Sequence, residues 1–273
     1  MSNNIQQFLK EVLVIDTETT GLLDKEDSEI IEIAAGKYDS ANELSIENRL
    51  FGSVNPIPPE ASAVNYISNR MIEGLPTLSE SFDYINDIMG FNGVIKYILV
   101  AHNSDFDRRM FVKEYTRYNN EDGLGVYKNK ENWLCTLRLA KSILGTDGPH
   151  EAFNLNYLRY YFDLDVDDNI PGHRASCDVI VTAKLLEKLI EIGIEKGLID
   201  EDKEIGTQLN NLCWNPIKIV KWNIGKHKGK KIEDIPTDYL LWCIKKLDFL
   251  DYEHPNYDED LAASVATVLE ARL

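Results

Sequence analysis

Regular patterning begins with four apolar residues in a row, Val12-Leu13-Val14-Ile15, closed by Asp16-Thr17-Glu18-Thr19-Thr20-Gly21-Leu22. The run is too short for a helix and rich in β-branched types, which predicts a strand buried on both faces. Strand side chains repeat every two residues, so Asp16 and Glu18 leave its end on one face. Residues 30–38 predict a second strand and 44–54 a third; turn-forming loops between them imply an antiparallel meander. Asn55-Pro56-Ile57-Pro58-Pro59 predicts a rigid loop, and apolar residues at helical spacing predict a helix over 78–89. A short strand at 97–101 precedes a helix whose one face is Phe106, Met110, Phe111, Tyr115 and Tyr118, with Asn103 or Ser104 at its N-cap. The polar, Gly-containing residues 119–130 read as a loop. Helical patterns return at 134–144 and 155–162, and the longest spans 175–192. Strands first, then a strand among helices, imply an α/β fold: a mixed sheet with helices packed on it. Beyond this first domain (residues 1–195), the polar and charged residues 196–214 read as a linker. Helices near 238–247 and 259–269 then complete a small second domain over 215–273.

The length of 273 residues suits one domain of ordinary size plus a smaller one. With 29 basic and 46 acidic residues the net charge is −17, which repels nucleic acid over most of the surface. Residues 217–231 reverse this locally, with six lysines, one histidine and no acid. Because charges are screened beyond about 8 Å at physiological salt, such a patch outweighs a distant acidic surface. Cys135, Cys177, Cys213 and Cys243 form no C-x-x-C pair, so neither a disulfide framework nor a zinc finger is expected, and a reducing cytoplasm fits. Residues 1–11 lack the apolar core of a signal peptide and no run approaches membrane-spanning length. A soluble cytoplasmic protein without a membrane partner is the expectation.

Candidate chemistry starts at Asp16 and Glu18. Two like charges at the end of a buried strand repel each other and lack solvent, and a divalent cation with oxygen ligands relieves both problems. The plainer reading is a D-x-E that ends a strand in water. Glu32, inside an apolar run, is either a further ligand or a satisfied half-buried carboxylate. In His102-Asn103-Ser104-Asp105-Phe106-Asp107 the two aspartates stand about 200° apart on a helix, so only one faces a common site, and spacing leaves open which. In Gly172-His173-Arg174-Ala175-Ser176-Cys177-Asp178, five helical positions would separate His173 and Asp178 by about 140°. Both reach one site only if His173 lies in the loop after Pro171 and Asp178 on the helix. A carboxylate on rigid backbone beside an imidazole on a movable one suits a metal ligand next to a general base.

D-T-E-T-T-G-L after one strand, A-H-N-x-x-F-D after another, and H-x-x-x-x-D opening a helix occur in that order. Over residues 10–192 the chain therefore resembles the DEDDh (DnaQ-like) 3′–5′ exonuclease family. The resemblance implies a ribonuclease H-like fold, with Asp16, Glu18, Asp107 and Asp178 as metal-binding carboxylates and His173 as general base. Because the family's aspartate follows the phenylalanine, it favours Asp107 over Asp105. It implies phosphodiester hydrolysis with two Mg²⁺ or Mn²⁺ ions about 3.5–4 Å apart, releasing nucleoside 5′-monophosphates from a 3′ end. Thr19 and Leu22 match the family's pocket for the terminal nucleotide, and Asn65 and Ile67 match a segment near the last base. The competing reading is that residues 19–22 turn the chain and Ile67 packs.

Trp222-Asn223-Ile224-Gly225-Lys226-His227-Lys228-Gly229-Lys230-Lys231, followed by Pro236-x-x-Tyr239-Leu240-x-Trp242, resembles the small C-terminal module of exonuclease X-type proteins. Gly225 and Gly229 suit a tight hairpin, and Lys226, Lys228 and Lys230 with nearby aromatics suit a nucleic-acid strand, a solvated turn being the alternative. The acidic tail from Asp258 onward departs from that module. The expected activity is a 3′–5′ exodeoxyribonuclease, with an exoribonuclease resting on the same five residues. A non-catalytic nucleic-acid-binding protein would be expected to have lost one of the five, and none is substituted. The resemblance leaves a homodimer open, with no sequence feature marking its surface.

Overall fold

The computed structural model describes residues 2–90, 96–118, 124–166 and 174–272. Along the chain run α1 (Asn3–Lys10), β1 (Val12–Thr19), β2 (Ile30–Tyr38), β3 (Leu44–Leu50), α2 (Pro59–Asn65), α3 (Asn69–Ile72) and α4 (Phe82–Ile88). They continue with β4 (Ile98–Ala101), α5 (Ser104–Arg117), α6 (Leu124–Lys128), β5 (Trp133–Cys135), α7 (Thr136–Leu144), α8 (Leu155–Tyr161), α9 (Ala175–Glu195), α10 (Ile205–Trp214), α11 (Thr237–Lys246) and α12 (Glu259–Glu270). The sheet order is β3-β2-β1-β4-β5. β1, β2 and β3 pair antiparallel as the meander requires, while β4 and β5 join parallel to β1, so the sheet is mixed.

Strand alternation divides β1 between two cores. Val12 and Val14 face a cluster with Val179, Ala183 and Leu186 of α9, whereas Leu13 and Ile15 face Met110, Phe111 and Tyr115 of α5. All four are buried, which explains the unbroken apolar run. Continuing the alternation, Asp16 and Glu18 emerge on the α9 side and Thr17 on the α5 side. Gly36, on β2, permits the close approach of α9: a Cβ there would lie 2.6 Å from Val179 Cγ1.

Several segments depart from the sequence expectation. Leu134 and Cys135 belong to β5, because β4 offers them a parallel ladder, and the helix starts only at Thr136. Residues 124–128, within the expected loop, form α6: Tyr127 is drawn into the core and stacks on Phe111 at 4.8 Å. Residues 119–123 of that loop lie outside the described residues. Pro59, expected in a rigid loop, starts α2, where its missing N–H costs nothing. The third strand ends at Leu50.

The segment expected as a linker holds α10, which presents Ile205, Leu209 and Cys213 to the α9-side core. Its Trp214 Nε1 donates to the Trp133 carbonyl at 2.8 Å. After α10 the chain builds a separate core of Trp222, Ile232, Ile235, Leu240, Cys243, Leu250, Leu261 and Val265. The turn at 220–232 closes through Trp222 N donating to the Lys230 carbonyl and Gly229 N to that of Trp222, with Gly225 and Gly229 at positive φ of 55° and 87°. Arg138 of α7 donates to both carboxylate oxygens of Asp260 on α12, at 2.8 and 3.0 Å, which fixes the module to the larger domain. Among the described residues no helix is long and apolar enough to cross a membrane.

Gly36→Ala is expected to lower stability by about 1–3 kcal/mol through overpacking against α9, seen as a lower urea midpoint at unchanged slope. Val179→Ala in the same chain should restore part of the loss. A Gly36→Ala protein as stable as its parent would show that the helix is not held this close.

Candidate active site

Three elements bring their carboxylates to the end of the sheet where β1 and β4 finish, the end at which open α/β sheets present ligand sites. Asp16 and Glu18 come from β1 and Asp178 from the first turn of α9. One carboxylate oxygen from each of the three lies within 4.8 Å of the others. Asp107 approaches from the α5 side and is almost fully buried. Its Oδ1 accepts from Thr17 Oγ1 at 2.7 Å and from Thr17 N at 3.1 Å, so the residue between the two β1 carboxylates holds it beside them. Asp105 points outward and pairs with Arg108 and Arg109, which resolves the choice the helical spacing left open.

Burial shapes the electrostatics first and mutual repulsion second. Desolvation, then the charges of Asp107, Asp178, Glu18 and Glu32, hold Asp16 well above the usual carboxylate range. Burial, with Asp178, Glu32 and Asp107 adding to it, pushes Glu18 up to about 8, against a lowering by Arg174. Burial also raises Asp107 to about 7, although the Thr17 hydrogen bonds favour its charged form. Carboxylates in this state resist ionisation unless a cation joins them. The donor set is all hard oxygen, which fits Mg²⁺ or Mn²⁺ better than a soft metal.

Glu32 takes the second of its two readings, and is buried completely rather than by half. Arg174 Nη2 donates to its Oε1 at 2.7 Å and Nε to its Oε2 at 3.2 Å. Asn48 Nδ2 and the Ala175 N–H complete the set at 2.9 and 3.3 Å. The strand carboxylate thereby takes the place of a side-chain cap at the start of α9, whose N-cap Arg174 makes none, and so fixes the turn that carries Asp178. Sequence reasoning missed Thr17, Asn48 and Arg174. Thr17 carries a signal, since alternation alone puts it opposite its acidic neighbours; Asn48 and Arg174 carry none without the fold.

His173 lies outside the described residues. Leu22 is exposed, and Thr19 turns its hydroxyl to the Gly21 carbonyl at 2.8 Å. Asn65 ends α2; its Nδ2 donates to the Thr19 carbonyl at 3.2 Å and its Oδ1 accepts from Ile67 N. Ile67 is sealed among Ile31, Ile57 and Ile72, so its side chain supports this wall from behind. Lys226, Lys228 and Lys230 are exposed on the C-terminal module.

Mixed sheet, flanking helices and acidic cluster define the chain as a DnaQ-like 3′–5′ exonuclease with a ribonuclease H-like fold. It belongs to the exonuclease family typified by RNase T, whose family model matches residues 13–186. Exodeoxyribonuclease 10 of Escherichia coli K12 is 26% identical over 243 residues, spanning 88% of this chain and 93% of the relative. DNA polymerase III subunit epsilon of Treponema pallidum is 30% identical over 176 residues, 64% of this chain and 74% of the relative. The solved structure of exonuclease X in complex with 5′ overhanging duplex DNA matches with a TM-score of 0.50 at 25% identity, over 72% of this chain and 99% of that one. E. coli exonuclease I, in complex with a dT13 oligonucleotide, shares the fold at a TM-score of 0.53 and 16% identity, over 68% and 42% of the two chains.

A carboxylate whose pKa is higher folded than unfolded stabilises the fold at low pH and loses that contribution as pH rises through the folded value. For Glu18 the window runs from its ordinary 4.5 to about 8, and for Asp107 from 3.8 to about 7. The cation-free protein should therefore melt lower as pH rises through this window. Mg²⁺ should raise Tm more at about pH 8.5 than at about pH 5.5, with a difference on the order of 5 °C. Scanning calorimetry with and without chelator checks this; an equal Mg²⁺ effect at both pH values contradicts it.

Proposed function

We propose that the protein removes nucleoside 5′-monophosphates from DNA 3′ ends with two divalent cations, Mg²⁺ or Mn²⁺. The observation that carries this reading is the convergence of Asp16, Glu18 and Asp178 within 4.8 Å, with Asp107 tied to the same strand end. When bound, the cations supply Lewis acidity toward the phosphodiester and a lowered pKa for the attacking water. Asp16, Glu18 and Asp178 would hold one of them and Asp107, with Asp16, the other. Arg174 and Glu32 keep the first turn of α9 in place, so Asp178 meets the strand carboxylates without reorganisation. His173, assigned by the H-x-x-x-x-D motif, takes the proton from water. Thr19 and Leu22 form the pocket of the terminal nucleotide, with Asn65 bracing the Thr19 backbone from α2 and Ile67 packed behind it.

The choice of DNA is supported by the relative named exodeoxyribonuclease 10, aligned over 93% of its length, and by the DNA in the exonuclease X complex. Those 243 aligned residues exceed the catalytic domain, so the likeness includes part of the C-terminal module. There Lys226, Lys228 and Lys230 contact the phosphates of the strand, against an overall charge of −17.

Labelled DNA and RNA oligomers, with Mg²⁺, Mn²⁺ or chelator, test the reading. A ladder shortening from the 3′ end of DNA and abolished by chelator is expected; cleavage confined to RNA would reassign the substrate. Asp16→Ala and Asp178→Ala should abolish turnover, and His173→Ala should lower it by about 10²–10⁴-fold with the fold intact. Asp16→Ala at the wild-type Mg²⁺-dependent rate would falsify the roles. Replacing Lys226, Lys228 and Lys230 together by Ala should weaken binding and reduce the slope of log K against log salt by about 2. An unchanged slope returns these lysines to a solvated turn.

A further inference from the structure

The C-terminal module exposes aromatic surface that its own core does not use. Trp242 is 50% exposed, while the buried residues of its helix α11 are Leu240 and Cys243. Its ring stacks against Tyr239, one turn earlier, with centroids 5.8 Å apart and an interplanar angle of 27°. Lys226, from the basic turn, places Nζ 4.8 Å from the Tyr239 ring centre, and His227 meets the same ring edge-on at 4.5 Å. On the far side Lys245 and Lys246 follow Trp242 at i+3 and i+4, the positions that neighbour it on a helix surface. The pair of stacked rings thus has the Lys226 ammonium at one end and the helix positions of Lys245 and Lys246 at the other, with Asp238 the acid on the helix.

We propose that Tyr239 and Trp242, framed by Lys226, Lys245 and Lys246, form a stacking platform for single-stranded nucleic acid. The proposal rests on the exonuclease reading, and adds that the strand is held unpaired on the module. Unpaired bases offer flat faces to an exposed ring while their phosphates meet the lysines. A duplex hides those faces. A second copy docked symmetrically on this stripe would bring like-charged lysines together, which disfavours self-association as its use.

Binding is measured on the full chain in chelator, where no hydrolysis occurs, by anisotropy of a labelled single strand of about 16 nucleotides. Trp242→Ala should weaken binding about tenfold, Trp242→Phe should retain most of it, and Tyr252→Ala, an exposed site elsewhere on the module, should change nothing. The wild-type protein should prefer the single strand over a blunt duplex, and the strand should quench tryptophan emission in the wild type but not in Trp242→Ala, since Trp133 and Trp222 are buried and Trp214 is half-buried. Wild-type affinity in Trp242→Ala overturns the platform, as does a wild-type dimer that this substitution dissociates. Protein that binds the single strand through Trp242 yet releases no nucleotide with Mg²⁺ keeps the platform and overturns the exonuclease reading instead.

Discussion

Carboxylates gathered at the end of a buried strand oppose one another and the low-dielectric interior at once. Asp16, Glu18 and Asp107 all sit above their ordinary ionisation range for that reason, burial being the larger cause and neighbouring charge adding to it for the β1 pair. Such an arrangement is tolerated because the sheet and two helices are packed too tightly for the groups to separate. Val179 against Gly36 fixes the distance of α9, and Thr17 fixes Asp107 against β1. The tension among these charges is therefore a built feature of the cation-free site, and a hard cation is the natural counterpart that relieves it.

Alternation along a single strand converts this constraint into geometry. β1 sends its even-numbered residues toward α9 and its odd-numbered ones toward α5, so Val12 and Val14 pack, and Asp16 and Glu18 gather beside Asp178, on one side. Leu13 and Ile15 pack, and Thr17 holds Asp107, on the other. Much of this was legible in the sequence because a period of two is a local property. The pairing of Asp16 with Glu18, the three-strand meander and the long helix carrying Asp178 all follow from neighbours in the chain. What was not legible depends on partners far away. Glu32 and Arg174 are 142 residues apart, and only the fold shows that this carboxylate caps a helix and is no ligand. Asp105 and Asp107 differ in role by the direction α5 faces, which no spacing specifies.

α1, to which the sequence reading assigned no element, and the segments read as linker or loop share a cause. Ile5, Phe8 and Leu9 form the buried face of α1, and Ile205, Leu209 and Cys213 that of α10, yet each stripe is short and diluted by polar neighbours. Local propensity is weak in such pieces, and tertiary burial decides them. Tyr127 anchors α6 in the same way, as one ring among polar residues. Together α10 and the Arg138–Asp260 pair turn a supposed tether into a fixed mount for the module that carries the lysine-rich turn.

Anomalous diffraction from crystals soaked in Mn²⁺ tests the central claim most directly, because it locates the cation without reference to any substrate. Manganese density bonded to oxygens of Asp16, Glu18 and Asp178, with Asp107 in reach, is the predicted result. Well-ordered carboxylates in the same arrangement with no manganese among them, or manganese bound only elsewhere, would contradict it.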